Sequence, residues 1–246
     1  MDRRVVVAIA LGVLLFPTFA SAQSCPAALK DATRLVLVTT ETMDSLPATA
    51  QLFERASPKG GWRSVGEAEP AVVGRAGIAW SHWFRHLARA QEPIKIEGDK
   101  RAPAGIYPIG GTFGTEPSSR PGHLTVNGDT VCVDDPGSPA YNQITSRALV
   151  GPKFHTENMS KALPMYRHGL LIDYPTDIAA KAGSCIFIHV WRSPTRGTAG
   201  CVALPEARVL ALQEFSANGG AVLAILPRFA LSRLRGCLPQ AAAASR

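Results

Sequence analysis

Two residues in IFIHVWRSPTRGTAGCVALPE, residues 186–206, could do chemistry together: His189 and Cys201. A cysteine is a nucleophile as its thiolate, which an adjacent imidazole or a positive field favours at neutral pH. Eleven residues separate the pair, enough for a chain to leave a strand, double back and return. Gly197 and Gly200 lie on that return path, and glycine lets backbone amides approach a reacting carbonyl, as an oxyanion hole requires. Arg192 and Arg196 add positive charge for the thiolate or for a substrate carboxylate. Together these residues suit acyl transfer through a cysteine thioester. A lone histidine on an apolar strand is ordinarily a core residue. The nearby cysteine, the glycine-bracketed turn and the helix start that follows favour the functional reading here.

The elements that must hold the pair are mainly strands. CIFIHVW (185–191) alternates so that Cys185, Phe187, His189 and Trp191 share one face and Ile186, Ile188 and Val190 the other. Both faces are apolar, as in a strand covered on both sides. RLVLVTT (34–40), LTV (124–126), DTVCVDD (129–135), GLLIDY (169–174) and AVLAILP (221–227) are further short β-branched or apolar runs bounded by turn residues. One segment predicts a helix: residues 205–220, with Pro205 at its start and Glu206 in its first turn. Val209, Leu212 and Phe215 share a face, and Asn218-Gly219 ends it.

Compartment and charge limit the partners. MDRR, the apolar run 5–16 and the small residues Ala20 and Ala22 predict a signal peptide over residues 1–22, cut after Ala22, and hence export to a bacterial periplasm. An uncleaved anchor is the alternative. The remaining chain carries (26 − 2) − (19 − 1) = +6. Outside the cytoplasm that charge points to anionic envelope polymers or carboxylate-bearing substrates, not to nucleic acid. Five cysteines, Cys25, Cys132, Cys185, Cys201 and Cys237, leave one over if thiols pair in an oxidising compartment. Four can pair in three ways. Cys25 with Cys237 and Cys132 with Cys185 would leave Cys201 free; the opposing reading puts Cys201 in a disulfide and another cysteine idle.

His189, an Arg-rich loop and then Thr198-Ala199-Gly200-Cys201 resemble the signature of the YkuD-type L,D-transpeptidase catalytic domain, in its Gram-negative periplasmic branch. EGDKRAPAGIYPIGGTFG (97–114), VCVDDPGSPAYN (131–142) and MYRHGLLIDYPTD (165–177) resemble segments that precede the catalytic strand in that family. The resemblance implies a mainly β protein, a β-sandwich of mixed sheets with one or two helices, that acts on peptidoglycan stem peptides and needs no metal or organic cofactor. It implies that Cys201 is the nucleophile and His189 its base, with the Val190 carbonyl orienting the ring and with Gly200 and Thr198 shaping the oxyanion turn. Arg192, Arg196, Trp191 and Tyr107 are the candidate substrate contacts. An envelope protein or another amine would serve as acceptor, or water in a hydrolase of the same fold. Ala199 stands where many members carry a second histidine, and the His-to-Cys spacing is short. Both features resemble the branch that includes hydrolytic members.

The expected organisation is a signal peptide (1–22), an N-terminal extension packed on the domain (23–60), the catalytic domain (61–236) and a C-terminal tail (237–246). His82 and His86 could face a metal from one helix face, but no acidic or cysteine partner lies nearby in sequence, so an aromatic surface is the plainer reading. His155 and His168 read as loop residues, and Asp134-Asp135 before Pro136 as turn chemistry. A non-catalytic envelope-binding module with Cys201 in a disulfide is the competing class.

Overall fold

The structure is a computed structural model that describes residues 25–239. The signal segment 1–22 and residues 240–246 of the tail lie outside the described residues. In chain order the strands and helices are β1 (Arg34–Thr40), β2 (Pro47–Glu54), β3 (Arg63–Val72), β4 (Ile78–Trp80), β5 (Ala102–Gly114), β6 (His123–Thr125), β7 (Thr130–Cys132), β8 (Ile144–Ser146), α1 (Arg147–Val150), β9 (Glu157–Asn158), β10 (His168–Ile172), β11 (Phe187–Val190), β12 (Val202–Leu204), α2 (Glu206–Ser216) and β13 (Ala221–Pro227). Short 3-10 turns join several of them. The protein is mainly β.

The large sheet runs β10-β11-β12-β3-β2-β1-β13-β5 and closes because β5 also pairs with β10. β5 makes one corner: Gly105 to Pro108 pair with β13, whereas Ile109 to Gly114 pair with β10. Strands that switch sheets in this way turn the corners of β-sandwiches. The other corner is thin, a single Ala203–Val72 pair between β12 and β3. β1 lies between β2 and β13, so residues 34–54 form interior strands of the same sheet. β8, β7 and β9 make a separate three-stranded sheet.

Alternation on β11 produces two cores. Ile186, Ile188 and Val190 join the main core with Leu35, Ile225 and Leu204. Cys185 and Phe187 join a second cluster with Phe113, Tyr166, Met159 and Cys201. Helix α2 packs on β10 and β11 through Val209 and Leu212, both almost fully buried in the main core. Each such aliphatic side chain contributes about 1.5–3 kcal/mol by leaving water. Buried Gln213 bonds the helix to the sheet, donating to the carbonyls of Phe113 (3.0 Å) and Gly169 (2.9 Å). Pro205 stands at the N-cap position, one residue before the helix, and makes no side-chain cap bond.

Two disulfides form. Cys25–Cys237 ties the ends of the described chain together, and Cys132–Cys185 fastens the small sheet to the segment entering β11. Cys201 is the free cysteine among the described residues and is buried.

Candidate active site

The local topology brings His189 and Cys201 to one wall. β11 and β12 run parallel, with Ile188 opposite Val202 and His189 opposite Ala203. Cys201 is the residue before β12, so it stands on the same face of the sheet as His189 and Ala203. Both side chains line a cavity of about 630 Å³, together with Trp191, Arg192, Arg196, Thr198 and Gly200. Six of the residues singled out from sequence therefore share this cavity with Cys201. Val190 is set apart by its side chain, which packs in the main core, while its carbonyl serves the site.

That carbonyl accepts a hydrogen bond from His189 Nδ1 at 2.9 Å. A carbonyl can only accept, so Nδ1 carries the proton and Nε2 keeps its lone pair. Burial of the ring lowers its pKa to about 4; the Val190 bond opposes the shift and the Arg192 charge adds to it. The imidazole is therefore neutral at pH 7 and fixed in the tautomer that can receive a proton at Nε2.

Cys201 is also in its neutral form. Burial raises the thiol to about 12 and the Glu157 charge adds to that, against opposing help from the Phe187 amide, the Tyr166 hydroxyl and Lys95. Sγ donates to the Cys185 carbonyl at 3.3 Å. This corrects the expectation of a resting thiolate held by histidine and a helix start. β12 stands between Cys201 and α2, adding roughly 10 Å of extended chain, while the helix field fades within its first turn.

The return loop is tied down at its far end. Thr198 N donates to Val73 O and Arg75 N to Thr198 O, both at 2.9 Å. Gly197 lies so close to Arg75 that an added Cβ would sit 2.6 Å from its Cα, well inside contact distance. The Thr198 hydroxyl then closes the nucleophile turn, donating to Cys201 O at 2.7 Å and accepting from Gly200 N at 3.0 Å. Gly200's amide is thus engaged within the turn, which gives it an orienting part and leaves oxyanion binding to other donors. Arg192 and Arg196 are exposed at the cavity mouth and Trp191 is half-buried; Arg192 Nε also meets Met165 Sδ at 3.0 Å.

Tyr107 does not reach the site. It is 1% exposed in the main core, packed edge-on against Phe84 and Tyr174. Its strand, β5, faces it into the main core, so the expectation of a substrate contact there is corrected. His82 sits 3.6 Å from Asp177, away from the cavity residues.

Among the cavity residues that escaped the sequence reading, three bear directly on the pair: Tyr166, Glu157 and Lys95. Tyr166 packs edge-on against His189 with centroids 5.1 Å apart and donates to Glu157 Oε1 at 2.8 Å. Lys95, 4% exposed, pairs with Asp99 at 2.7 Å. Tyr166 falls inside the MYRHGLLIDYPTD segment, which was a usable signal. Glu157 and Lys95 carried none.

No protein-family model matches the chain, and no curated protein matches it. Among solved structures the chain is similar to the helical cell shape determining protein Pgp2 from Campylobacter jejuni, at 17% identity and a TM-score of 0.42, over 79% of this chain and 48% of that one. It is also similar to Bd1075 of Bdellovibrio bacteriovorus, at 16% identity and a TM-score of 0.41, over 79% of this chain and 48% of that one. The chain thus spans about half the length of each of these two structures.

Proposed function

We propose that this protein is an exported, cysteine-dependent L,D-transpeptidase that acts on peptidoglycan stem peptides. The observation that carries the reading is that the free Cys201, at the head of β12, lines one cavity with a tautomerically fixed, neutral His189 on the adjacent parallel strand β11. The sequence resemblance around Thr198-Ala199-Gly200-Cys201 supplies the substrate class. Two disulfides and the N-terminal apolar run support the periplasm as the compartment.

Because thiol and imidazole both rest neutral, the thiol proton moves to His189 Nε2 as Sγ attacks. The carbonyl attacked joins the L-centre of diaminopimelate to the terminal D-Ala. An S–C bond forms; the C–N bond then breaks, and the imidazolium returns the proton to the departing amine. An amine that attacks the thioester restores the thiol and yields a 3→3 cross-link or an attached group. Water in the same place yields a trimmed tripeptide. Arg192 and Arg196 at the cavity mouth suit the carboxylates of such stems.

The test is product analysis of purified disaccharide-tetrapeptide by liquid chromatography and mass spectrometry, beside Cys201→Ala. Loss of D-Ala with a tripeptide-linked dimer, absent in the variant, supports transpeptidation. Tripeptide alone moves the assignment to an L,D-carboxypeptidase of the same fold. Untouched tetrapeptide with both proteins returns the chain to a binding module.

A further inference from the structure

One part-buried hydrogen-bond couple lies at the same cavity as the Cys201 sulfur and has no part in the proton transfers above. Glu157 enters the cavity on β9, where it pairs with Cys132, whose disulfide partner is Cys185. Cys185 in turn gives its carbonyl to the Cys201 thiol. Tyr166 enters on the turn Met165–Arg167 ahead of β10. Its hydroxyl donates to Glu157 Oε1 at 2.8 Å, and its side chain shares one buried cluster and the cavity lining with Cys201, where it favours the thiolate. A phenol has one proton to donate. It cannot serve a Glu157 carboxylate and a Cys201 thiolate together, unless Glu157 is itself protonated and donates to the phenol oxygen.

We infer that Tyr166 is a positioning residue for the nucleophile, and that the protonation of Glu157 decides where its hydroxyl donates. With Glu157 ionised, the hydroxyl is held by the carboxylate, and a thiolate forming at Cys201 meets a like charge without a donor. With Glu157 protonated, two bonds hold in series: the acid O–H to the Tyr166 oxygen, and the Tyr166 O–H to Sγ. No covalent bond to carbon or sulfur changes in the exchange. The protonated form is accessible because burial pushes the Glu157 carboxyl up and Asp134 adds to this, while the Tyr166 bond and His155 pull the other way. Asp134 and His155 are themselves paired at 2.6 Å. Lys95 is the cation whose charge favours the thiolate.

The inference rests on Cys201 as the nucleophile, but its test uses no peptidoglycan. Iodoacetamide alkylation of Cys201 is followed by mass spectrometry from pH 7 to 10 in the full protein, in Tyr166→Phe and in Glu157→Gln. Glutamine keeps a donor for the phenol oxygen and removes the charge, so it imitates the protonated acid. Tyr166→Phe alone is expected to leave alkylation near the wild-type rate, because the Glu157 carboxylate holds the hydroxyl in the resting protein. Glu157→Gln is expected to speed it by at least about tenfold, the worth of one hydrogen bond to a charged group, and about tenfold of that gain is expected to be lost when Tyr166→Phe is added. That coupling is the signature, since loss of the Glu157 charge by itself would speed alkylation equally with and without the Tyr166 hydroxyl. An unchanged rate in Glu157→Gln, or the same gain in the double variant, overturns the inference. The coupled gain in a protein that leaves tetrapeptide untouched would uphold it while sinking the transpeptidase reading.

Discussion

The neutral resting thiol has a kinetic consequence that can be worked out in numbers. Burial and Glu157 take Cys201 from the ordinary 9.0 to about 12. Three pH units separate the two, so at any pH below 9 the native protein holds about a thousandfold less thiolate than an exposed cysteine would. The reference is built into the chain. Denatured without reductant, the described chain exposes one thiol, because its other four cysteines are bridged. Iodoacetamide should label that thiol with a rate that levels off near pH 9. In the native protein the rate should be lower at pH 8 and climb about tenfold per pH unit from 7 to 10 without levelling off. Steric protection would lower the native rate at every pH but would leave the levelling point near 9, so the shape separates the two causes. His189→Asn should abolish turnover and leave that slope unchanged, because the imidazole accepts the proton only during attack. A native rate that is flat between about pH 5 and 8 would mean a preformed thiolate–imidazolium pair and refute the reasoning.

Three shorter predictions follow from the same geometry. The His189 pKa is depressed from 6.5 to about 4, so the unfolded chain takes up a proton that the folded one refuses. The stability this group contributes is complete above pH 6.5 and is lost as pH falls to 4, by about 3 kcal/mol. Urea denaturation at pH 4.5 and 7 should show a larger drop for wild type than for His189→Gln, and an equal drop would contradict it. Thr198→Val removes both bonds of the nucleophile turn. It should cost about 2 kcal/mol in urea melts and most of the turnover, with Thr198→Ser restoring both; a fully active valine variant would show that the turn does not position Cys201. Tyr107→Phe should leave kcat/KM unchanged and lower stability by about 1 kcal/mol or less, since its bond to Pro103 O is long at 3.4 Å. A specific loss of activity there would put Tyr107 back in the site.

The parts of the fold legible in sequence were those with their own apolar signal. RLVLVTT and AVLAILP coincide with β1 and β13, which pair in parallel along their whole length. The alternation in CIFIHVW sorted its side chains into the two clusters the structure contains. β3 was hidden because six of its ten residues are exposed and only Ala71 and Val72 are buried, with Gly66 and Pro70 interrupting any pattern. β5 was readable only through the family resemblance. A strand that turns a corner takes glycines and prolines, and APAGIYPIGGTFG looks like loop when read by local propensity. The site divides along the same line. His189, Cys201 and the loop between them lie within thirteen residues of one another, so spacing alone could join them. Glu157 lies on a two-residue strand that the Cys132–Cys185 bridge and the Tyr166 hydroxyl bring to the cavity of the thiol. No local pattern records such a route.

The most direct test of the central assignment is intact-protein mass spectrometry of the exported form, mixed with disaccharide-tetrapeptide and quenched in acid within seconds. A thioester at Cys201 should appear as a mass gain equal to the donor minus D-Ala, disappear in Cys201→Ala, and be discharged by an added amine acceptor. Turnover without that adduct, or an adduct that survives in Cys201→Ala, would contradict Cys201 as the nucleophile.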